Sequence, residues 1–286
     1  MREDVAHQHY VPACYLANFG IEGNQKRNSK IYFYNIKDKK TGISKVSKMP
    51  VEKYFYDIEA LGDDKQLLEN FFTQIEGELA GLLQTIIQSV VIDPNLRDSN
   101  YVYLTNENRA LLSCQIALQI TRTCSFRNYF NDIYLQLKNG FPYADIPSYS
   151  KEDIKRIHIV ELFENKFSNF YSNLIDDRHL IVLVNHTDVP FITSDKPIVN
   201  IDYRKNQQYP TSIIDKEVTL FFPISPYIAI EVYDKNIARK DLAYLDIYKE
   251  KNVIGYNLAL INEDTRFLFS NKSFDLMKQM RKTIYD

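Results

Sequence analysis

The sequence predicts an α+β fold: a central bundle of long helices packed against an antiparallel or mixed sheet, with a basic β-hairpin near the N-terminus. Three observations carry this. Strand formers cluster at residues 30–49, helical periodicity fills about 63–175, and apolar strand-like segments return at about 178–235 before further helical stretches. Blocks of strands and helices, rather than regular alternation, are the order of an α+β protein. No internal repeat of about 20 to 50 residues and no linker-like stretch divides the chain, so residues 1–286 are expected to form a single domain.

Each element has its own signal. Lys30–Ile36 and Ile43–Met49 are rich in β-formers and are joined through a Lys-Thr-Gly turn, which predicts the hairpin. From Asp63, Leu68, Phe72, Ile75, Leu79, Leu82 and Ile86 recur at helical spacing, with Asp63 or Asp64 as N-cap and Asp93-Pro94-Asn95 as the stop. A second helix is expected after Thr105, running to Phe126 or beyond until Asn139-Gly140-Phe141-Pro142 breaks it. A third starts at Ser150, with Glu152 and Asp153 in its first turn, and reaches about Leu174. Strands are then expected at Leu180–Asn185, Phe191–Thr193, Pro197–Asp202, Glu217–Phe222 and Tyr227–Tyr233. Helices follow at Asp241–Lys249, Lys251–Ile261 and Phe274–Ile284.

Composition narrows the class. With 45% hydrophobic and 25% charged residues the chain is globular rather than disordered or fibrous. The apolar run Thr219–Ile230 is interrupted by Pro and falls short of the roughly 20 residues a bilayer requires, so no membrane association is expected. Met1-Arg2-Glu3-Asp4 lacks the apolar core of a secretory signal, and Cys14, Cys114 and Cys124 are odd in number without CxxC spacing. Both observations predict reduced thiols and a cytoplasmic location. Eight glycines form neither a GxxxxGK[ST] loop nor a GxGxxG turn, which argues against the usual NTPases and nicotinamide enzymes; GxSxG and HExxH are likewise missing.

Several residues suit chemistry. His7 and His9 would share one face of a strand, where imidazoles bind a metal or move a proton; packing of one and solvation of the other is the plainer alternative. In the second helix Asn108, Gln115, Gln119 and Arg122 fall within about 60° on a helical wheel, flanked by apolar residues. A buried stripe of this kind must pair internally or line a cavity. Arg122 therefore either pairs with Glu69 or Glu76 of the preceding helix or binds phosphate or carboxylate at a cleft floor, with Gln115 and Gln119 beside it. Glu69 and Glu76, seven residues apart, share a helix face and are the candidates for holding a divalent cation, if they are not simply solvated or salt-bridged. Ser194 and Asp195 lie in a polar turn between apolar strands. Asp195 suits acid-base work or metal ligation and Ser194 hydrogen-bond donation, unless both only stabilise the turn.

Five strings in order resemble domain-of-unknown-function family 4238, whose members are mainly bacterial. They are His-Tyr-Val-Pro-x-x-Tyr-Leu-x-x-Phe at His9–Phe19, the helix with Leu68-Glu69 and Ile75-Glu76, Gln-x-x-Arg-Thr at Gln119–Thr123, Phe-x-Thr-Ser-Asp-x-Pro at Phe191–Pro197, and Phe222-Pro223-Ile224-Ser225-Pro226. The resemblance spans nearly the whole chain. It directs attention to these residues, Tyr10 included, and implies no reaction.

Charge is uneven. The net charge is −2, yet Lys26–Lys53 holds nine basic residues against Asp38 and Glu52, a local +7 that leaves −9 elsewhere. Together with Tyr32, Phe33 and Tyr34, Lys30 and Lys45 of this hairpin suit contact with a nucleic-acid backbone; a solvated edge hairpin is the alternative. The leading expectation is a nuclease-like effector acting on phosphodiesters, of a toxin or phage-defence kind, with an antitoxin or other protein partner. In it His9 and Asp195 transfer protons and Arg122 holds phosphate, with or without a divalent metal. The alternative is a non-catalytic module binding nucleic acid or protein, its signature residues forming a buried polar framework.

Overall fold

The computed structural model describes residues 5–21, 28–92, 105–201, 218–236, 244–262 and 264–275. The fold is α+β, with helices packed on antiparallel and mixed sheets. Near the N-terminus β1 (His7–His9) pairs antiparallel with β4 (Val51–Lys53), and α1 (Ala13–Leu16) is a single buried turn between them in sequence. The basic hairpin is β2 (Lys30–Asn35) with β3 (Lys40–Lys45). A Cβ on Gly42 would sit 2.9 Å from the Phe33 ring, so glycine lets the two strands meet there.

The helical layer is α2 (Leu67–Ile92), α3 (Asn106–Thr121), α4 (Cys124–Gly140), α5 (Lys151–Phe163) and α6 (Asn165–Asp176). Two expected caps hold: Thr105 accepts from the Asn108 amide at 3.1 Å, and Ser150 forms a reciprocal capping box with Asp153. Three expected helices differ. The first starts at Leu67 rather than Asp63, because Glu59–Asp64 forms a 3-10 turn in which Gly62 adopts φ 55°, a value that resets the chain. The second is two helices: Arg122 leaves helical geometry at φ −85°, ψ 0°, and Thr123 caps a new one by accepting from the Phe126 amide at 3.2 Å. The third breaks at Glu164, whose φ and ψ are both −107°. The stop at residues 93–95 lies outside the described residues.

Of the strands, β5 (Arg178–Asn185) and β9 (Ile228–Asp234) are central, joined by β8 (Leu220–Pro223), β7 (Val199–Asn200) and β10 (Tyr244–Ile247) in the order β10-β5-β9-β8-β7. Among the described residues only β10 runs parallel to its neighbour. A second sheet, β3-β2-β11-β6, adds β6 (Thr193–Ser194) and β11 (Phe267–Ser270) to the hairpin. The helix expected at Asp241–Lys249 is thus corrected, since Tyr244–Ile247 pairs along the edge of β5 and sheet pairing overrides local helical preference. The next helix, α7 (Glu250–Ala259), matches its expectation, whereas the C-terminal one falls mostly outside the described residues. Thr193 and Ser194 are strand residues paired with β11, so the polar turn begins at Asp195.

Side chains alternate across the strands, which builds two cores. Leu180, Val182 and Val184 of β5 and Ile228 and Ile230 of β9 join the core shared with α2, α3 and α6; Ile181, Leu183 and Ala229 join the one under α7 with Val253 and Leu260. Helices, sheets and α7 therefore stack as layers around two apolar fillings. No described helix is long and apolar enough to cross a membrane.

Candidate functional site

The signature strings meet in the interior. Arg122, 3% exposed at the end of α3, donates from Nε to Tyr56 Oη at 3.2 Å and from Nη2 to His9 O at 2.8 Å and Glu76 Oε1 at 2.9 Å. Its guanidinium lies 4.3 Å from the Phe72 ring centre. Burial pulls its pKa down, but Tyr56 and Glu76 outweigh that, and the net shift is upward. Of the two pairings anticipated for Arg122, that with Glu76 is present. The fork faces α2 and the backbone of β1.

The other signature residues are similarly engaged. Gln119 donates to Tyr10 O at 3.2 Å, and Tyr15 Oη lies 2.6 Å from both Thr193 Oγ1 and Pro223 O, with its ring stacked on Phe222. Ser194 Oγ accepts from the Lys196 amide at 3.1 Å and donates to Lys196 O at 2.7 Å, closing its own turn. Asp195 Oδ1 accepts from the Arg266 and Phe267 amides, both at 3.1 Å, which anchors the start of β11. Gln115 is buried, its amide nitrogen without a hydrogen bond among the described residues. His9 is 7% exposed on β1. Glu69 is half-buried, and Glu76 is committed to Arg122. Among the described residues no three His, Cys, Asp or Glu side chains converge as metal ligands, so Glu69 and Glu76 lack a third donor.

A second polar knot lies nearby. Arg127 stacks 3.5 Å over Phe55 and donates to Phe55 O at 2.6 Å and to His158 Nδ1 at 3.1 Å. Since Nδ1 accepts, Nε2 carries the proton and donates to Thr121 O at 2.7 Å. Burial, with the Arg127 charge beside it, lowers the fully buried His158 to about 3.

One cleft opens where α4 begins. It is narrow and is lined by Gln119, Ile120, Thr123, Ser125, Lys196, Pro197 and Ile198. Behind its wall Tyr10, Cys124 and Asp195 are near enough that the Asp195 charge raises the pKa of the other two, although burial is the larger cause in both. Burial lifts Asp195 itself to about 6, against the pull of the Phe267 and Arg266 amides. At the rim Asp264 Oδ2 accepts from Ser125 Oγ at 3.0 Å and pairs with Lys196 Nζ at 3.3 Å. Asp195 and Gln119 are the residues here that sequence pattern singles out; Cys124, Ser125, Lys196 and Asp264 are not. Lys196 stands in the Thr-Ser-Asp-Lys-Pro string, but only contact with α4 distinguishes it, and Asp264 carries no local signal. The hairpin lysines, Lys30 and Lys45 among them, project from β2 and β3 and line no part of this cleft.

Fold and site together define a class: a layered α+β protein whose signature residues knit helices, β1 and β11 through buried polar contacts. The family model described as protein of unknown function (DUF4238) matches residues 7–274, and the chain belongs to that family. No curated protein and no solved structure matches it.

Proposed function

We propose that this chain binds nucleic acid along the lysine ribbon of β2 and β3, with the signature residues serving as a buried framework. The observation that carries the reading is the ribbon itself. Lys30, Lys37, Lys39, Lys40, Lys45, Lys48 and Lys53 are all exposed, and none forms an ion pair among the described residues. Lys30 and Lys45 stand directly opposite each other across the strands, a like-charge pairing that costs stability unless an anion bridges it. Tyr32 and Ile43 are the next pair along the same face; Tyr32 is half-buried against the core under α7, and the exposed Ile43 adds an apolar contact surface beside the two ammonium groups.

The test is a fluorescence-anisotropy titration of labelled single- and double-stranded DNA and RNA at several salt concentrations. Wild type should bind with a steep salt dependence. Lys30→Gln and Lys45→Gln each take away one ammonium that neutralises a phosphate, and each should flatten the log–log slope by about 0.7 to 0.9. Salt-independent affinity that survives both substitutions would reject the ribbon as the site.

Asp195 favours a second reading, that of a nuclease-like effector. Its carboxyl lies behind the cleft with Oδ2 outside any hydrogen bond among the described residues, and a pKa of about 6 suits proton transfer near neutral pH. Under this reading the ribbon presents a strand and Asp195 moves the proton, with Arg122 and His9 positioning β1 and α3 around it. An effector of toxin or phage-defence kind would also require a restraining protein partner. Cleavage by wild type in Mg²⁺ or Mn²⁺ that vanishes in a normally folded Asp195→Asn separates this reading from binding alone.

A further inference from the structure

The lysine ribbon supplies charge but little ring surface: Tyr32 and Tyr34, on the face that carries Lys30 and Lys45, pack against the core under α7. An open ring stands elsewhere on the molecule. Tyr248, between β10 and α7, is 70% exposed, and its ring lies nearly parallel to the His186 imidazole, with centres 4.7 Å apart and planes inclined by 11°. His186 covers one face of that ring. With the residue still so exposed, the other face meets solvent.

The stack is built before any ligand arrives. His186 Nε2 donates to Asp246 Oδ1 at 2.6 Å, which fixes the imidazole beside β10. The His186 amide donates to Ile247 O at 2.9 Å, so the backbones that carry the two rings are tied together. Asn185 Oδ1 accepts from the Thr187 amide at 2.9 Å and from its hydroxyl at 2.8 Å, which closes the turn around His186. A ring already held in place gives up little side-chain freedom when a second ring settles on it.

A chain of contacts joins this platform to the ribbon. The Phe274 ring lies 6.0 Å from that of Tyr34, and two residues earlier Lys272 Nζ donates to Asp188 O at 2.8 Å. Residues 272–274 therefore run from the lysine-bearing face of β2 to the turn that begins at His186. Lys272 at this crossing, and the exposed Lys249 and Lys251 beside Tyr248, place ammonium groups along the way, with Glu250 between the last two. Tyr227, also exposed, lies at the same end of the sheet, its carbonyl accepting from the Asn185 amide at 2.8 Å.

Single and double strands use such a surface differently. Both present phosphates, so lysines alone do not distinguish them. Bases inside a duplex are stacked on one another, whereas unpaired bases offer their faces to an aromatic side chain. A charged track that leads to a prebuilt open ring favours the unpaired form.

We propose that the ligand of the ribbon is single-stranded nucleic acid, its backbone on the ribbon lysines and one base stacked on the open face of Tyr248, with His186 as the positioning residue behind that ring. The proposal rests on the ribbon as the backbone site, and the two can fail separately.

The experiment is fluorescence anisotropy of the full chain with labelled single-stranded DNA and RNA, the matching duplexes, and an abasic DNA strand of equal length. Wild type should bind the single strand tighter than the duplex, and about tenfold tighter than the abasic strand, the scale of one stacked base. Tyr248→Ala should lose about that tenfold on the single strand and leave the abasic strand, the duplex and the salt slope unchanged, while Tyr248→Phe should keep wild-type affinity. His186→Ala should lose part of the gain and His186→Phe restore it, a rescue that the Asp246 pair alone would not give. Melting temperatures check each variant, and should Tyr248→Ala misfold, the abasic comparison in wild type decides. Salt-dependent binding by wild type that is equal for single strand, duplex and abasic strand, or that a folded Tyr248→Ala retains in full, overturns the proposal and leaves the ribbon standing. Wild type that binds none of these ligands in a salt-dependent way rejects the ribbon, and the platform's role with it.

Discussion

Arg122 and Lys45 carry the same charge and are treated in opposite ways. Arg122 is shut inside, where Tyr56, His9 O, Glu76 and the Phe72 ring surround it. Lys45 stands on an exposed strand against Lys30, a second ammonium that can only repel it. A buried cation whose Nε and Nη2 are bound to Tyr56, His9 O and Glu76 has committed three of its five N–H donors to the fold. A solvated cation set against its like has used none. The interior thus reads as scaffold and the ribbon as a surface awaiting a counter-charge.

The largest expected effect tests the scaffold. Arg122→Met leaves Tyr56, His9 O and Glu76 without their donor, and breaking a buried pair of this type costs about 3 kcal/mol, or roughly 6 to 12 °C in melting temperature. Nucleic-acid affinity of the surviving folded protein should not change. A variant that melts like wild type but loses binding would move Arg122 from scaffold to site and dissolve the comparison.

A pH series gives the next largest effect, and its two main contributors oppose each other. His158, held at about 3 against its ordinary 6.5, stabilises the fold fully above pH 6.5, and that contribution is lost as pH falls toward 3. Asp195, raised from 3.8 to about 6, contributes in the reverse sense: its stabilisation is complete below pH 3.8 and is lost as pH rises through 6. Between about pH 4 and 6 the two slopes cancel. In Asp195→Asn the cancellation ends, because the amide keeps the acceptor for Arg266 and Phe267 but takes up no proton. Urea melts should show this variant gaining on wild type by roughly 3 kcal/mol from pH 4 to 7. Parallel pH curves would show that Asp195 is not held protonated by burial.

Tyr15→Phe is smaller. Its hydroxyl joins α1 to Thr193 of β6 and Pro223 of β8, and losing it should cost about 1 to 2 kcal/mol in urea melts while the ring keeps its stack on Phe222. An unchanged midpoint would mean that water replaces the hydroxyl and that this joint of the scaffold is loose.

Much of the scaffold is legible in the sequence where the signal is local. Thr105 and Ser150 announce their helices because a cap needs only residues three places on, and the period of β5 and β9 shows because both faces of those strands are apolar. The Arg122 stripe correctly demands a partner, since a guanidinium between apolar residues must find one, and Glu76 is one of two carboxylates in reach. What is not legible is what long-range pairing decides. The strands β1, β4 and β11 are three or four residues long and exist through partners far away in the chain, and β10 forms because β5 offers an edge. The cleft fails for the same reason, since Ser125, Lys196 and Asp264 come from three separate segments and meet only when α4, the Asp195 turn and the loop before β11 are assembled.

The smallest expected effect bears on the ribbon and is argued by its sign. Most substitutions destabilise, and replacing a lysine on a surface strand by a neutral residue ordinarily changes stability by less than about 0.5 kcal/mol either way. Lys45 differs because its cross-strand neighbour is Lys30, so Lys45→Thr removes a repulsion and introduces a residue with higher strand preference. The folded protein should become more stable by a few tenths of a kcal/mol at low ionic strength, and the gain should fade as salt screens the pair. Urea melts at about 20 mM and 500 mM salt read both signs, the salt levels being set by screening lengths of roughly 20 and 4 Å. In the same variant nucleic-acid affinity should fall, so that stability and binding move in opposite directions at one residue. A surface kept for solubility alone gives no reason for that opposition. If stability and affinity instead fall together, Lys45 belongs with Arg122 as part of the scaffold.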